Sequence, residues 1–439
     1  MKLSTIVAAL LLAALPATAI PAGSQQADRL VFAVVVTRHG VRSISKAPPQ
    51  YDWADWQPVA ASYLTARGYR LMTYLGQYYR VYFGSNGIPL SCTSPNVYLY
   101  ADKDQRTLET GLALIEGMCG KADALPMHHA ADLSSSGDDA LFDSTQWAAA
   151  QHRIDAAASR DAVMATLPKP PSEIVTQHAT EFASLQRVLE ARCSGSCLPV
   201  TSGESAVGDK EGGLFELDGP VKTASTYAED LFLEYAQCRP DAPANLADAM
   251  QLHVLAYDVN ARNRYNPVVR GGTLFAHIVG MMEAKAGRAH PDAVFPDISR
   301  DNVVVFSGHD TQLGALGGIL DAHWHPGGGI VPDDMPPGGA LVFELYKTSA
   351  NDYRVRVRFV YETMEQFHHY KLIDGGVASV PVTLRGCEGS DCSVPLERFS
   401  ALSRSIARQG LARKEWTQES ADAVNLDPLL NPKWTQCSS

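Results

Sequence analysis

Arg38-His39-Gly40-Val41-Arg42 places a guanidinium on either side of a histidine. A tight turn at Gly40 would bring both planar forks to one point, where they suit the oxygens of a phosphoryl group or a carboxylate. His39 is then pushed toward its neutral form, because neighbouring positive charge disfavours the imidazolium. A neutral imidazole is a nucleophile. A second stretch, Ser307-Gly308-His309-Asp310-Thr311, sets another histidine after a glycine and supplies an acid beside it. Either stretch alone reads equally well as a strand end with surface arginines and a hydrogen-bonded histidine; the recurrence argues against that.

The elements that must position these residues flank them. Residues 31–37 form an unbroken apolar or β-branched run, a buried strand ending at Arg38, and residues 303–306 do the same ahead of Ser307. Open α/β sheets hold ligands at the carboxyl ends of their strands. A helix expected over 312–320 would aim its anion-favouring amino terminus at the same place. Residues 97–101 make a third strand, followed by Asp102 and a helical run over 105–118, so Arg106 also sits where a strand ends and a helix begins. Alone, Arg106 would pair with Glu109 on a helix surface. Three converging strand ends favour a third anion-binding arginine.

In these residues the chain resembles the histidine acid phosphatases, and within them the bacterial periplasmic phytases. The carriers are Arg38 to Arg42, Ala101 to Thr107, Gly308 to Thr311 and Pro336 to Glu344, in the family's order and at similar spacing. The resemblance implies an α/β fold, a mixed sheet flanked by helices with an inserted, mainly α-helical cap, and no cofactor. It implies hydrolysis of phosphate monoesters, with His39 as nucleophile forming a phosphohistidine and Asp310 as proton donor. Arg38, Arg42, Arg106 and His309 would bind the phosphate.

Ser45, Lys46, Glu229 and Arg270 match positions that line the pocket for the rest of the substrate in the phytases. Without that match Lys46 reads as a solvated loop lysine and Glu229 as a surface helix acid. Ile44 stands where the family usually has proline, which bears on the shape of the substrate-facing loop. Gly40 resembles the phytase side of the family, so phytate (inositol hexakisphosphate) is the implied substrate, with glucose 1-phosphate or a broad range of phosphate esters as the alternative. A secreted protein that binds phosphate esters without cleaving them would keep the arginines but need neither His39 nor Asp310. Phosphoglycerate-mutase-type enzymes share the Arg-His-Gly logic but are shorter, cytoplasmic and not cysteine-bridged.

Met1-Lys2, the apolar run over 6–15 and Ala17-Thr18-Ala19 read as a secretory signal peptide over residues 1–19, which implies a periplasmic or secreted protein with no membrane span in its mature form. The net charge of −11 argues against nucleic acid as a partner and requires any positive field to be local. A small-molecule phosphate ester is the expected partner, and a monomer the expected state. Eight cysteines in an exported chain read as disulfides, although spacing leaves the connectivity open. Cys193 with Cys197 and Cys387 with Cys392 are the local choices; Cys92 with Cys119 resembles a family bridge, which leaves Cys238 with Cys437. Their irregular spacing, with no histidine cluster, argues against zinc, and no metal is expected.

No repeat or long linker divides the 439 residues. An α/β domain over 26–135 and 258–439 is expected to carry an insertion over 136–257, where Ala-rich helical patterns run over 146–165, 171–189 and 222–236 and a polar loop over 203–213. An amphipathic helix over 62–83 should pack on the sheet. Residues 127–132 read as a short edge strand, whose adjacent His128 and His129 point to opposite faces and cannot share an ion. Residues 341–346 and 353–361 alternate strictly and form a hairpin, and His323 and His325 fall in a loop.

Overall fold

The computed structural model describes residues 28–424 except 47, 135, 136, 240, 241, 244, 370–375, 388 and 390. The expected signal peptide and Cys437, and with it the Cys238–Cys437 bridge, lie outside the described residues.

The sheet is built outward from β1 (Arg29–Arg38). Phe32, Val34 and Val36 enter one core and Ala33 and Val35 the other, so both faces of the strand are covered, as a run without polar alternation requires. Pairing slips between Leu30 and Phe32, and Leu30 consequently shares a core with Ala33 and Val35. Next come α1 (Ala66–Ser85), β2 (Val97–Ala101), α2 (Gln105–Cys119) and β3 (Met127–Ala130). The following segment contains α3 (Thr145–Ala150), α4 (Ala156–Met164), α5 (Glu173–Gln177), α6 (Ala179–Glu190), β4 (Ala206–Glu211), β5 (Leu214–Asp218), α7 (Pro220–Ala236) and α8 (Ala247–Asn260). The chain then returns through α9 (Asn266–Lys285), β6 (Val303–Gly308), α10 (Asp310–Leu320), β7 (Ala340–Lys347) and β8 (Tyr353–Tyr361). It closes with α11 (Met364–His368), β9 (Ala378–Pro381), β10 (Val394–Pro395), α12 (Leu396–Arg408) and β11 (Glu419–Ser420).

The strand order is β10-β8-β7-β1-β6-β2-β3-β11, with β9 on β8. β1, β6, β2 and β3 run parallel, and β7 and β8 are antiparallel to their neighbours. The parallel register sets Arg38 beside Gly308 and Ala101 beside Ser307, which brings the three carboxyl ends to one edge. Side chains of α1 and α2 fill one core, and those of α9, α10 and α12 fill the other.

Several elements depart from the sequence pattern. The helix expected over 62–83 begins at Ala66, because Ser62 has φ +66° and Thr65 caps α1 by accepting from the amide of Gly68. The patterns over 146–165 and 171–189 each split in two: His152 has φ +52°, Asp155 caps α4, and His178 leaves helical geometry between α5 and α6. Residues 203–213 are not all loop, since β4 and β5 form an antiparallel hairpin around Gly212-Gly213, both with positive φ. β3 is not an edge, because β11 pairs with it.

His128 stacks on Tyr98 with ring centroids 4.3 Å apart, while His129 hydrogen-bonds Ala130 O at 2.8 Å. The 257 border falls inside α8. One hydrophobic cluster joins β1 to Phe182 and Leu185 of α6 and Leu231 of α7, so the segment between β3 and α9 shares its core with the sheet. Bridges Cys92–Cys119, Cys193–Cys197 and Cys387–Cys392 are formed. No helix among the described residues is long and apolar enough to cross a membrane.

Candidate active site

At the end of β1 the Arg38 side chain turns inward and is almost wholly buried. Its Nη1 donates to Met335 O at 2.5 Å, and its Nη2 meets Glu229 Oε1 and, at 2.9 Å, Asp310 Oδ2. Arg42 Nη2 reaches the same Glu229 oxygen at 3.1 Å, and its Nη1 donates to Ser43 O and to Ser45 Oγ. One carboxylate oxygen therefore holds both guanidinium forks. From the start of α2, Arg106 Nη2 lies 2.8 Å from Asp104 Oδ2 and 3.4 Å from His309 Nδ1. The rings of His39 and His309 stand edge to face at 5.5 Å.

His39 is pinned at its backbone, with its amide donating to Gly308 O at 2.8 Å and its carbonyl accepting from Gly338 N at 3.0 Å. Its Nδ1 lies 2.8 Å from Gly40 O, an atom that only accepts, so the ring proton is on Nδ1 and Nε2 keeps its lone pair. Burial, then Arg38, Arg106, His309 and Arg42, hold its pKa well below the usual histidine value. Gly40 is not at positive φ, so its backbone angle is not what requires glycine. A Cβ there would come 2.7 Å from Met72 Cγ and 2.9 Å from Gly68 O, so glycine lets the loop press against α1. Ile44, in place of a proline, is 6% exposed and joins the core.

His309 and Asp310 sit at the amino terminus of α10, where the Gln312 side chain accepts from the His309 amide at 2.5 Å. Asp102 Oδ2 lies 3.0 Å from His309 Nε2 and Asp104 Oδ2 lies 3.3 Å away, so Nε2 carries the proton and Nδ1 faces Arg106 as an acceptor. Burial alone would raise the Asp310 carboxyl. Arg38, His253, the Tyr257 hydroxyl and His309 overcome it and hold the carboxyl well below the usual range. Glu229 is likewise raised by burial and lowered by Arg42 and Arg38, with a net lowering.

These groups surround a cavity of about 350 Å³. His39, Arg42, Ser45, Arg106, Glu229, His309 and Asp310 line it, and Arg38 stands behind Glu229 and Asp310. Two of the expected residues are not on its wall. Lys46 lies exposed in the bend after Ser45, and Arg270 is turned to Asp143 Oδ2, at 3.1 Å, and to Glu216. Arg270 thus reaches the cavity only through Asp143, which lines it with Asp138 and Asp139.

Sequence reading did not single out these acids, nor Asp102, Asp104 and Tyr257 as site residues. Asp102 had a signal, being the first residue after β2 as His39 is after β1. Asp138, Asp139 and Tyr257 had none, because they enter from the segment between β3 and α9 through tertiary packing. Among the described residues no group of three or more His, Cys, Asp or Glu side chains could hold a metal ion.

A histidine and arginines at the end of the first strand, answered by a His-Asp pair at the end of its parallel neighbour, define a histidine phosphatase. The family description "histidine phosphatase superfamily (branch 2)" matches residues 29–360, and the chain belongs to that family; it is a phosphatase. It is 30% identical over 394 residues to the phytase AppA of Escherichia coli K12, covering 84% of this chain and 89% of that protein. A glucose-1-phosphatase of Providencia rettgeri is 23% identical over 84% of this chain and 88% of its own length. Among solved structures, the Hafnia alvei phytase in complex with tartrate superposes with a TM-score of 0.77 at 27% identity, covering 87% of this chain and 98% of that one.

Proposed function

We propose that the chain is an exported phytase-like acid phosphatase that cleaves phosphate monoesters through a phosphohistidine on His39, with 136–257 as a cap over the site. The observation that carries this reading is the His39 ring, whose single proton is engaged by Gly40 O while Nε2 keeps its lone pair beside Arg38, Arg42 and Arg106. The incoming phosphoryl group takes the place of the Glu229 carboxylate on Arg38 and Arg42; Arg106 neutralises a further oxygen, and His309 donates its Nε2–H to another by exchanging Asp102 and Asp104 for the phosphate. Such preorganised donors are each worth ~100–1,000-fold in rate.

His39 Nε2 attacks phosphorus as the P–O bond to the alcohol breaks, and Asp310 gives its proton to the departing oxygen. Water then attacks the phosphohistidine, losing a proton to Asp310 and releasing phosphate with His39 restored. Against burial, Arg38 holds the Asp310 carboxyl in its ionised form. A bound phosphate dianion offsets that field, so the acid form is reached in the complex and an acidic working pH is favoured.

The similarity to phytases makes phytate the first substrate to test. Asp138, Asp139 and Asp143 on the wall favour a second reading, a phosphatase of sugar monophosphates, because acids there repel the remaining phosphates of a polyphosphate. Phosphate release from phytate, glucose 1-phosphate and an aryl phosphate, measured from acidic to mildly alkaline pH for wild type and His39→Ala, tests both. Preference for phytate at acidic pH, abolished in the variant, supports the first reading; preference for glucose 1-phosphate supports the second. Turnover surviving in His39→Ala rules out the mechanism.

A further inference from the structure

A second cavity, of about 970 Å³, opens at the other end of α10. Asp310 begins that helix in the active site, whereas Gly318, Ile319 and Leu320 at its carboxyl end form part of the second cavity's wall. Eleven helical residues separate the two places by about 16 Å along the axis. Arg262, Arg264, Arg385 and Arg398 line this cavity, with Asp321 the only acid among its lining residues. On a chain of net charge −11 that is a local reversal of sign.

The four arginines are not equivalent. Arg262 is committed to the fold: it lies 3.3 Å from Asp258 and 3.5 Å from Asp333, and its guanidinium sits over Trp324. Arg385 pairs with Asp321 at 2.8 Å, but the two side chains are 77% and 52% exposed, so water screens the pair and a phosphate can exchange for it. Arg264 and Arg398 have no acidic partner among the described residues. Among the described residues Arg398 donates only to Gly386 O, at 2.5 Å.

Three exchangeable guanidiniums thus come from three places in the chain, the α8–α9 loop, the segment after β9, and α12. Ile319, Phe399 and Leu402 supply apolar wall among the lining residues. Arg38 and Arg42 share one Glu229 oxygen and so suit a single phosphoryl group, whereas Arg385 and Arg398 have separate anchors, Asp321 and Gly386 O, and suit separate phosphates. Three forks around a space of this size match an anion that carries several phosphates on a compact ring.

We propose that this groove is a second, non-catalytic binding site for a multiply phosphorylated small molecule. It does not depend on turnover at His39. Occupancy there loads the end of α10 opposite Asp310, so substrate at high concentration bears on the same helix from both ends.

The test is calorimetric titration with myo-inositol hexakissulphate, an anion of matching charge that carries no phosphate to be cleaved. Wild type is expected to bind two equivalents. Arg264→Ala/Arg398→Ala should bind one, with the lost event weakened about tenfold or more, as removal of charge-assisted bonds implies. Arg42→Ala should lose the other event and keep this one. Arg385→Glu, which reverses a charge without enlarging the groove, should weaken the same event as the double variant. Hydrolysis of an aryl phosphate at low concentration and the thermal midpoint should be unchanged in the double variant, since Arg264 and Arg398 are exposed. A single equivalent on wild type, or two equivalents surviving in the double variant, overturns the proposal. Failure of the phosphohistidine reading would appear instead as turnover in His39→Ala and would leave the stoichiometry untouched.

Discussion

His39 Nδ1 and Gly40 O lie 2.8 Å apart, and because a carbonyl oxygen cannot donate, this contact decides which nitrogen of the ring keeps its lone pair for the attack proposed above. The phosphoenzyme trapped by alkaline denaturing quench after mixing with substrate should therefore carry phosphate on Nε2. The two phosphohistidine isomers separate chromatographically after alkaline digestion, and recovery of the Nδ1 isomer would contradict the assignment. His39→Ala should lower kcat by at least about a thousandfold, the scale expected when a covalent route is removed.

Asp310→Asn should separate substrates by leaving group. General-acid assistance is worth ~100–10,000-fold, and a poor alkoxide leaving group needs it more than an aryl oxide. The loss in kcat should be large for phytate or a sugar phosphate and much smaller for an aryl phosphate; equal losses on both would show that Asp310 is not the acid. The Tyr257 hydroxyl helps to hold the Asp310 carboxyl low. Tyr257→Phe should therefore raise that pKa and move the alkaline limb of the kcat profile to higher pH.

The acids of the cavity wall should make selectivity depend on pH. Asp138 is raised by burial and by Asp143, and Asp139 is raised by burial against the bonds it accepts from Thr417, Leu141 and Tyr100. Raised carboxyls protonate at higher pH than free ones, so their repulsion of a polyanion fades early as pH falls. The ratio of kcat/KM for phytate to that for an aryl phosphate should rise toward acidic pH. In Asp138→Asn the ratio should be higher near neutrality and flatter, which separates this effect from titration of phytate itself.

Glu362, next to the end of β8, should set a pH dependence of stability. It is 1% exposed, neither side-chain oxygen has a hydrogen-bond partner among the described residues, and burial raises its pKa from 4.5 to about 8 despite Arg67. A folded-state pKa above the unfolded one means that the native state holds the proton more tightly. Stability contributed by this group is complete below about 4.5 and falls as pH rises toward about 8. Glu362→Gln should raise the thermal midpoint near neutral pH and leave it little changed in acid. An unchanged midpoint at both would show that the carboxyl is solvated in solution.

Local pattern was a good guide wherever one strand and its immediate successor made the feature. The strands that carry His39, Asp102 and His309 were visible because a strand buried on both faces has no polar alternation to hide it. Arg106, at a helix start, was visible for the same reason. The pattern misled where continuity depended on a single backbone angle: Ala-rich runs concealed breaks at His152 and His178, and a polar composition hid the β4–β5 hairpin although Gly212-Gly213 marked its turn. Gly40 was recognised as special, but for a turn; its need for glycine comes from Met72 and Gly68, which lie on another element.

By itself the sequence determined the chemistry, because histidine, arginine and aspartate types placed just after three buried runs leave few other uses for them. It also carried the mixed sheet, since those runs must be covered on both faces. Only the tertiary structure decided how the charges are shared: Glu229 spans Arg38 and Arg42, Asp102 holds His309, Arg270 turns to Asp143 and Glu216, and Lys46 stays in solvent. Each of these pairings joins residues more than fifty positions apart, and all but that of Arg270 with Glu216 more than a hundred. Coulombic and hydrogen-bond energies depend on separation in space, and separation along the chain does not report it.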